Sequence, residues 1–147
     1  MRRAALLLGA VILAGCAKPE TPPVAEAPAA PAINLADLTG NWTGVVTAPG
    51  SDTVLVTMTI VASADPAAWT ITLPGRDPMP FSVAASGDSL ITGMGPYESV
   101  LRPGTQVTTA GVLRLVNGQL TGPTVAHYVT AGADSTLNLW TTATKAP

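Results

Sequence analysis

The chain is poor in the residues that build chemical centres. It holds one cysteine and one histidine in 147 residues. A single cysteine excludes both an intrachain disulfide framework and a thiolate metal cluster. With one histidine and no Asp-x-Asp spacing, no set of three or four metal ligands forms, so neither a metal nor another cofactor is expected. Aromatics are limited to three Trp, two Tyr and one Phe, too few for the stacking platforms that hold sugars or unpaired bases. Charged residues are only 11% of the total. Beyond position 15, five basic residues (Lys18, Arg76, Arg102, Arg114, Lys145) stand against nine acidic ones, a net charge of −4. With no basic cluster to neutralise phosphates, nucleic acid is not an expected partner. Nor does any apolar run reach the roughly 20 residues that a membrane-spanning helix needs.

What is present starts at the N-terminus. Arg2 and Arg3 form a positive n-region, and Ala4 to Ala14 form a short apolar h-region. Ala14-Gly15 supplies the small residues of a cleavage site. The sequence Leu13-Ala14-Gly15-Cys16 resembles the lipobox of bacterial lipoproteins at each of its positions. That resemblance implies diacylglyceryl transfer to the Cys16 thiol, cleavage between Gly15 and Cys16, and acylation of the new amino terminus. The expected partner is therefore a membrane, held through a lipid anchor. More than one acyl chain suits the physics, because a single chain binds a bilayer only marginally, at about 0.8 kcal/mol per buried methylene. Ala17, rather than an aspartate, follows Cys16. In the enterobacterial version of the family this favours the outer membrane, although retention rules differ among bacteria.

Residues 16–32 then read as a tether. Prolines at 19, 22, 23, 28 and 31 remove backbone donors and fix φ, so neither helix nor sheet propagates through them. Such a segment samples polyproline II and reaches roughly 50 Å over its length, at about 3.1 Å per residue.

Residues 33–147 have the size of one domain and enough chain to bury a core without disulfides. Runs rich in Val, Thr, Ile and Leu alternate with Gly, Pro, Asn and Asp turns, and no helical period appears after Leu38. Strands are expected near 40–48, 52–62, 68–73, 80–85, 89–95, 106–116, 119–130 and 134–144. Asn117-Gly118 is the strongest turn signal, since a type I′ hairpin requires positive φ at both central residues. Short connections imply sequential antiparallel neighbours. The leading architecture is all-β, an eight-stranded antiparallel up-and-down barrel in which closure removes exposed edges. A two-sheet β-sandwich is the alternative.

The entry to this domain, Leu35-Ala36-Asp37-Leu38-Thr39-Gly40-Asn41-Trp42, resembles that of lipocalin-like and related calycin barrels. There a short helical turn leads into a Gly-x-Trp motif on the first strand, matched here by Gly40 and Trp42. The resemblance implies that the tryptophan plugs the closed end of the barrel beneath an arginine from near the last strand. The last strand here carries Trp140 and Lys145 but no arginine, so that half of the signature is missing.

Candidate chemistry is sparse. His127 is the sole histidine, and a catalytic triad would join it to Ser99 or Ser135 and to Asp134 or Glu98. No Gly-x-Ser-x-Gly elbow accompanies it, so a strand histidine with an ordinary hydrogen bond is the simpler expectation, and no enzyme activity is expected. Most aspartates fall in turns, where side-chain hydrogen bonding to backbone explains them. The least regular stretch, Gly93 to Gly104, places Tyr97, Glu98 and Arg102 where loop residues rim a pocket or face a partner. Tyr97, Glu98, Arg102 and His127 are thus the candidate binding or interaction residues, beside Cys16 for lipidation. Two functions compete. One is a non-catalytic barrel of the bacterial envelope carrying a small apolar ligand such as a fatty-acyl chain, which requires a cavity of about 300 Å³ or more. The other is an envelope interaction or inhibitor module with a filled core and an exposed apolar patch, expected near Tyr97.

Overall fold

A computed structural model describes residues 22–130 and 135–147. The signal segment, Cys16, the first part of the tether and Asp134 lie outside the described residues. A short helix α1 (Leu35–Leu38) leads into β1 (Gly40–Thr47) and β2 (Val54–Ala62). A 3₁₀ turn (Pro66–Ala68) precedes β3 (Thr70–Thr72), β4 (Met79–Pro80) and β5 (Ser82–Ser86). Four longer strands follow: β6 (Ser89–Glu98), β7 (Gln106–Val116), β8 (Gln119–Tyr128) and β9 (Thr136–Lys145). Among the described residues no helix is long and apolar enough to cross a membrane.

All pairings are antiparallel, in the order β4-β3-β2-β1-β9-β8-β7-β6-β5. The sheet curls into a nearly closed barrel, not a sandwich. Its nine strands trace eight staves, because β4 and β5 are separated only by Phe81. The first half of this stave pairs with β3 and the second with β6. The split has a local cause: Pro80 has no N–H to continue a ladder, and the chain changes neighbours there. The Phe81 amide still donates to the Trp69 carbonyl at 3.0 Å.

Alternation decides which side chains fill the barrel. Met58 and Ile60 of β2, Leu113 of β7 and Leu139 of β9 are buried, while Thr57, Thr59, Arg114 and Asn138 face out. The residues on β2 stop alternating cleanly at Val54, where the register against β1 shifts. Asn117 and Gly118 adopt φ of 51° and 79°, the type I′ geometry needed to return β7 into β8. Arg114, between buried Leu113 and exposed Leu115, points outward and pairs with Asp88 at 3.1 Å.

One end of the barrel is sealed by α1 and Trp42. The indole is 2% exposed, and its Nε1 donates to the Leu38 carbonyl at 2.7 Å. Lys145, at the end of β9, places its Nζ 5.8 Å from the Trp42 ring centroid and donates to the Asp37 carbonyl at 3.3 Å. A lysine thus makes the contact that the Gly-x-Trp resemblance assigns to an arginine. Trp69 is also buried in the core, 1% exposed, with Nε1 donating to the Ser63 carbonyl at 2.7 Å. The tether enters at this same end, where the Ile33 amide donates to the Gly87 carbonyl at 2.7 Å.

Candidate functional site: interior, mouth and outer wall

The β6–β7 connection covers the end opposite α1. Residues 99–105 fold over the mouth, and Val100 and Leu101 pack against the core. The loop is braced largely by itself. Ser99 Oγ accepts from the amides of Leu101 and Arg102 at 3.1 and 3.0 Å. The Ser99 amide donates to the Thr105 carbonyl at 2.8 Å, and Glu98 Oε1 accepts from the Gly104 amide at 3.0 Å. Two cations tie this unit to the barrel. The Arg102 guanidinium sits 4.2 Å above the Tyr128 ring, and Arg76 donates to the Glu98 carbonyl.

Beneath the loop the barrel is almost full. A cavity of about 70 Å³ remains, lined mainly by apolar side chains, with the hydroxyls of Thr92, Thr109, Thr124 and Thr141 among them and Tyr97, Val100 and Leu101 at the mouth. Interior hydroxyls pair with each other: Thr124 Oγ1 and Thr141 Oγ1 are 2.8 Å apart. Among the described residues, no buried side-chain nitrogen or oxygen lacks a hydrogen-bond partner.

Of the residues expected to form a site, Tyr97, Glu98 and Arg102 do come together at the mouth, but in different roles. Tyr97 is half-buried, and burial pushes its phenol above the ordinary value, against the hydrogen bond from Thr109 that pulls it down. Glu98 and Ser99 brace the loop, and Arg102 clamps it to Tyr128. His127 is not brought to the mouth. It is exposed on the outer face of β8, opposite Thr108 and Thr136, whereas Ser99 is buried and already accepts two hydrogen bonds. The structure does not assemble His127, Ser99 and Glu98 into a triad; Asp134 lies outside the described residues. Among the described residues no three His, Cys, Asp or Glu side chains are grouped as metal ligands.

Exposed apolar side chains occur on several parts of the surface, among them Val54, Leu55 and Val61 of β2, Leu115 and Val116 at the end of β7, and Val129 by the mouth; those that form a row across four strands are on the outer wall of β6–β9. Ile91, Val112 and Trp140 are 41%, 37% and 40% exposed there. The signal was available as apolar doublets: in Leu90-Ile91 and Val112-Leu113 one member faces in, which forces its neighbour out. Comparison with known proteins adds no identification: no family model, no curated protein and no solved structure matches this chain. The reading of function therefore rests on these surfaces and on the N-terminal motif.

Proposed function

We propose that this chain is a lipid-anchored protein of the bacterial cell envelope, held through Cys16, and that its barrel is a non-catalytic module that docks to protein. One contrast carries this reading. The interior leaves about 70 Å³, well short of the roughly 300 Å³ of an ordinary ligand pocket, whereas the outer wall offers uncharged apolar side chains to solvent. The lipobox resemblance supports the anchor. The tether's entry beside α1 supports an orientation with the sealed end toward lipid and the mouth and walls free.

Two measurements test the reading. Intact mass of the protein recovered from a bacterial envelope should correspond to a chain starting at Cys16 plus acyl groups, and Cys16→Ser should abolish that addition. A photo-crosslinking amino acid in place of Val112 should give a discrete protein adduct. The same group in place of Thr59, exposed on β2, should not. Lack of any adduct at position 112 would end the docking reading.

A second reading, a small apolar ligand such as a fatty-acyl chain, draws on the loop. The hydrogen bonds bracing residues 99–105 are mostly internal, so on this reading the loop would swing outward as a unit, giving up the Arg102–Tyr128 contact and the core packing of Val100 and Leu101. Native mass spectrometry after incubation with an envelope lipid extract tests it. A stoichiometric adduct lost on denaturation would favour this reading; a bare chain mass would remove it.

A further inference from the structure

The outer wall also points to a particular partner. Ile91 stands opposite Val112, and Pro123 opposite Trp140. The register on either side, Gly111 with Thr124 and Arg114 with Thr121, sets Val112 against Pro123. The result is one transverse row, Ile91–Val112–Pro123–Trp140, across the four strands β6 to β9. One step toward the mouth, Ala110 stands opposite Val125. None of these six side chains is charged. The nearest charge on the α1 side is Arg114, itself paired with Asp88. Outward faces of antiparallel sheets are usually polar, and a contiguous apolar patch with a polar rim marks a contact site.

Charge, the exit of the tether and confinement to one membrane favour a second copy of the chain as the occupant. First, a chain with a net charge of −4 beyond position 15 repels its own copies except across a face that carries no charge. Second, the tether leaves at the α1 end, where Ile33 is bonded to Gly87. Copies rooted in one lipid surface therefore stand side by side, and a twofold axis along the membrane normal brings the same wall of each together. Such an axis between Val112 and Pro123 sets Ile91 of one copy against Trp140 of the other. Third, anchoring in one bilayer confines the copies to a thin layer, so their local concentration rises with surface density above that of the same chains in solution. A patch smaller than the usual roughly 800 Å² per partner then suffices.

We propose that the outer wall of β6–β9 is a self-association face, whose occupant is a second copy of this chain in the same membrane. This rests on the docking reading above and specifies its partner. The experiment uses the full acylated chain in vesicles of phosphatidylethanolamine and phosphatidylglycerol, and in the bacterial envelope. With Cys16 acylated, Val112→Cys provides the only free thiol, and a thiol-to-thiol crosslinker about 10 Å long, the spacing of facing sheets, should convert most of the protein to covalent dimer. Thr59→Cys should give at least about tenfold less. Trp42 and Trp69 are 2% and 1% exposed, so acrylamide quenches chiefly Trp140. Its quenching should fall as surface density rises, and should stop depending on density in Val112→Asp. Circular dichroism melting checks that this outward substitution leaves the fold intact. In the envelope, an adduct from position 112 at twice the chain mass supports self-association. An adduct of any other mass overturns it while leaving the docking reading in place. No adduct overturns both.

Discussion

Replacing Gly122 by alanine tests how closely β7 and β8 approach beneath the outer wall. Gly122 is not among the residues at positive φ, so alanine meets no dihedral penalty. Through the unfolded chain alone it would stabilise by about 0.4–1 kcal/mol. The close approach reverses that sign. A Cβ at this position would lie 2.1 Å from the Val112 carbonyl oxygen and 3.1 Å from the Leu113 Cα. Both are backbone atoms, so relief requires one strand to move off the other. Overpacking costs about 1–3 kcal/mol where neighbours relax. With no side chain able to yield, the upper part of that range applies, for a net loss of about 2 kcal/mol.

Gly44 is the internal comparison. A Cβ there would meet Met58 Cε at 2.7 Å and Cγ at 2.9 Å, atoms of a flexible thioether that rotates aside. Gly44→Ala should cost less than about 1 kcal/mol. Urea unfolding followed by tryptophan emission reads both, since buried Trp42 and Trp69 report the core. With a slope of about 1–3 kcal/mol per molar urea, Gly122→Ala should lower the midpoint by about 1 M. A Gly122→Ala midpoint at or above wild type, or a larger loss in Gly44→Ala, would refute the reasoning.

Three further outcomes are expected. Lys145→Met should lose about 0.5 kcal/mol, because the 5.8 Å separation from Trp42 is near the limit of a cation–π contact; Lys145→Arg should restore the melting temperature, and a drop equal to that of Met would count against the contact. The Ser89 hydroxyl, with Arg114 assisting against partial desolvation, holds the Asp88 carboxyl below its ordinary 3.8. The resulting stability is present above that value and lost as pH falls through the lowered one, so Asp88→Asn should flatten the acid limb of a melting-temperature profile. For Tyr97, burial raises the phenol above its ordinary 10.0. Its contribution is full below pH 10 and lost as pH rises through the raised value, so Tyr97→Phe should flatten the alkaline limb; an unchanged limb would show that Tyr97 ionises as freely as in the unfolded chain.

Most of the barrel was legible because its strands are punctuated by residues with one conformational meaning. Pro103-Gly104 and Asn117-Gly118 bracket β7, and the expected limits 106–116 are the observed ones. Where the chain changes neighbours without a turn, as at Phe81, alternation gives no warning, and a single expected strand becomes β4 and β5. The mouth was legible only as a group. Irregular sequence from Gly93 to Gly104 located Tyr97, Glu98 and Arg102, but not that Val100 and Leu101 would occupy the space a ligand needs. His127 shows the limit most clearly: a reactive side chain one residue from a buried tyrosine points to the other side of the sheet.

The apolar outer wall is not a by-product of making strands. Threonine has β propensity like that of valine and isoleucine, and its hydroxyl suits solvent. The chain uses it freely elsewhere. Thr144 lies opposite Thr43, Thr43 opposite Thr59, and Thr59 opposite Thr72, a transverse row on β9, β1, β2 and β3. The same architecture, with the same alternation, therefore carries a hydroxyl row on one side and Ile91, Val112, Pro123 and Trp140 on the other. Folding alone does not distinguish the two walls, since both bury their inward residues equally well. What distinguishes them is what each offers outside: the apolar row is bordered by the paired Thr121 and Thr142 hydroxyls, 3.2 Å apart, and under the docking proposal it is the row itself that a partner covers.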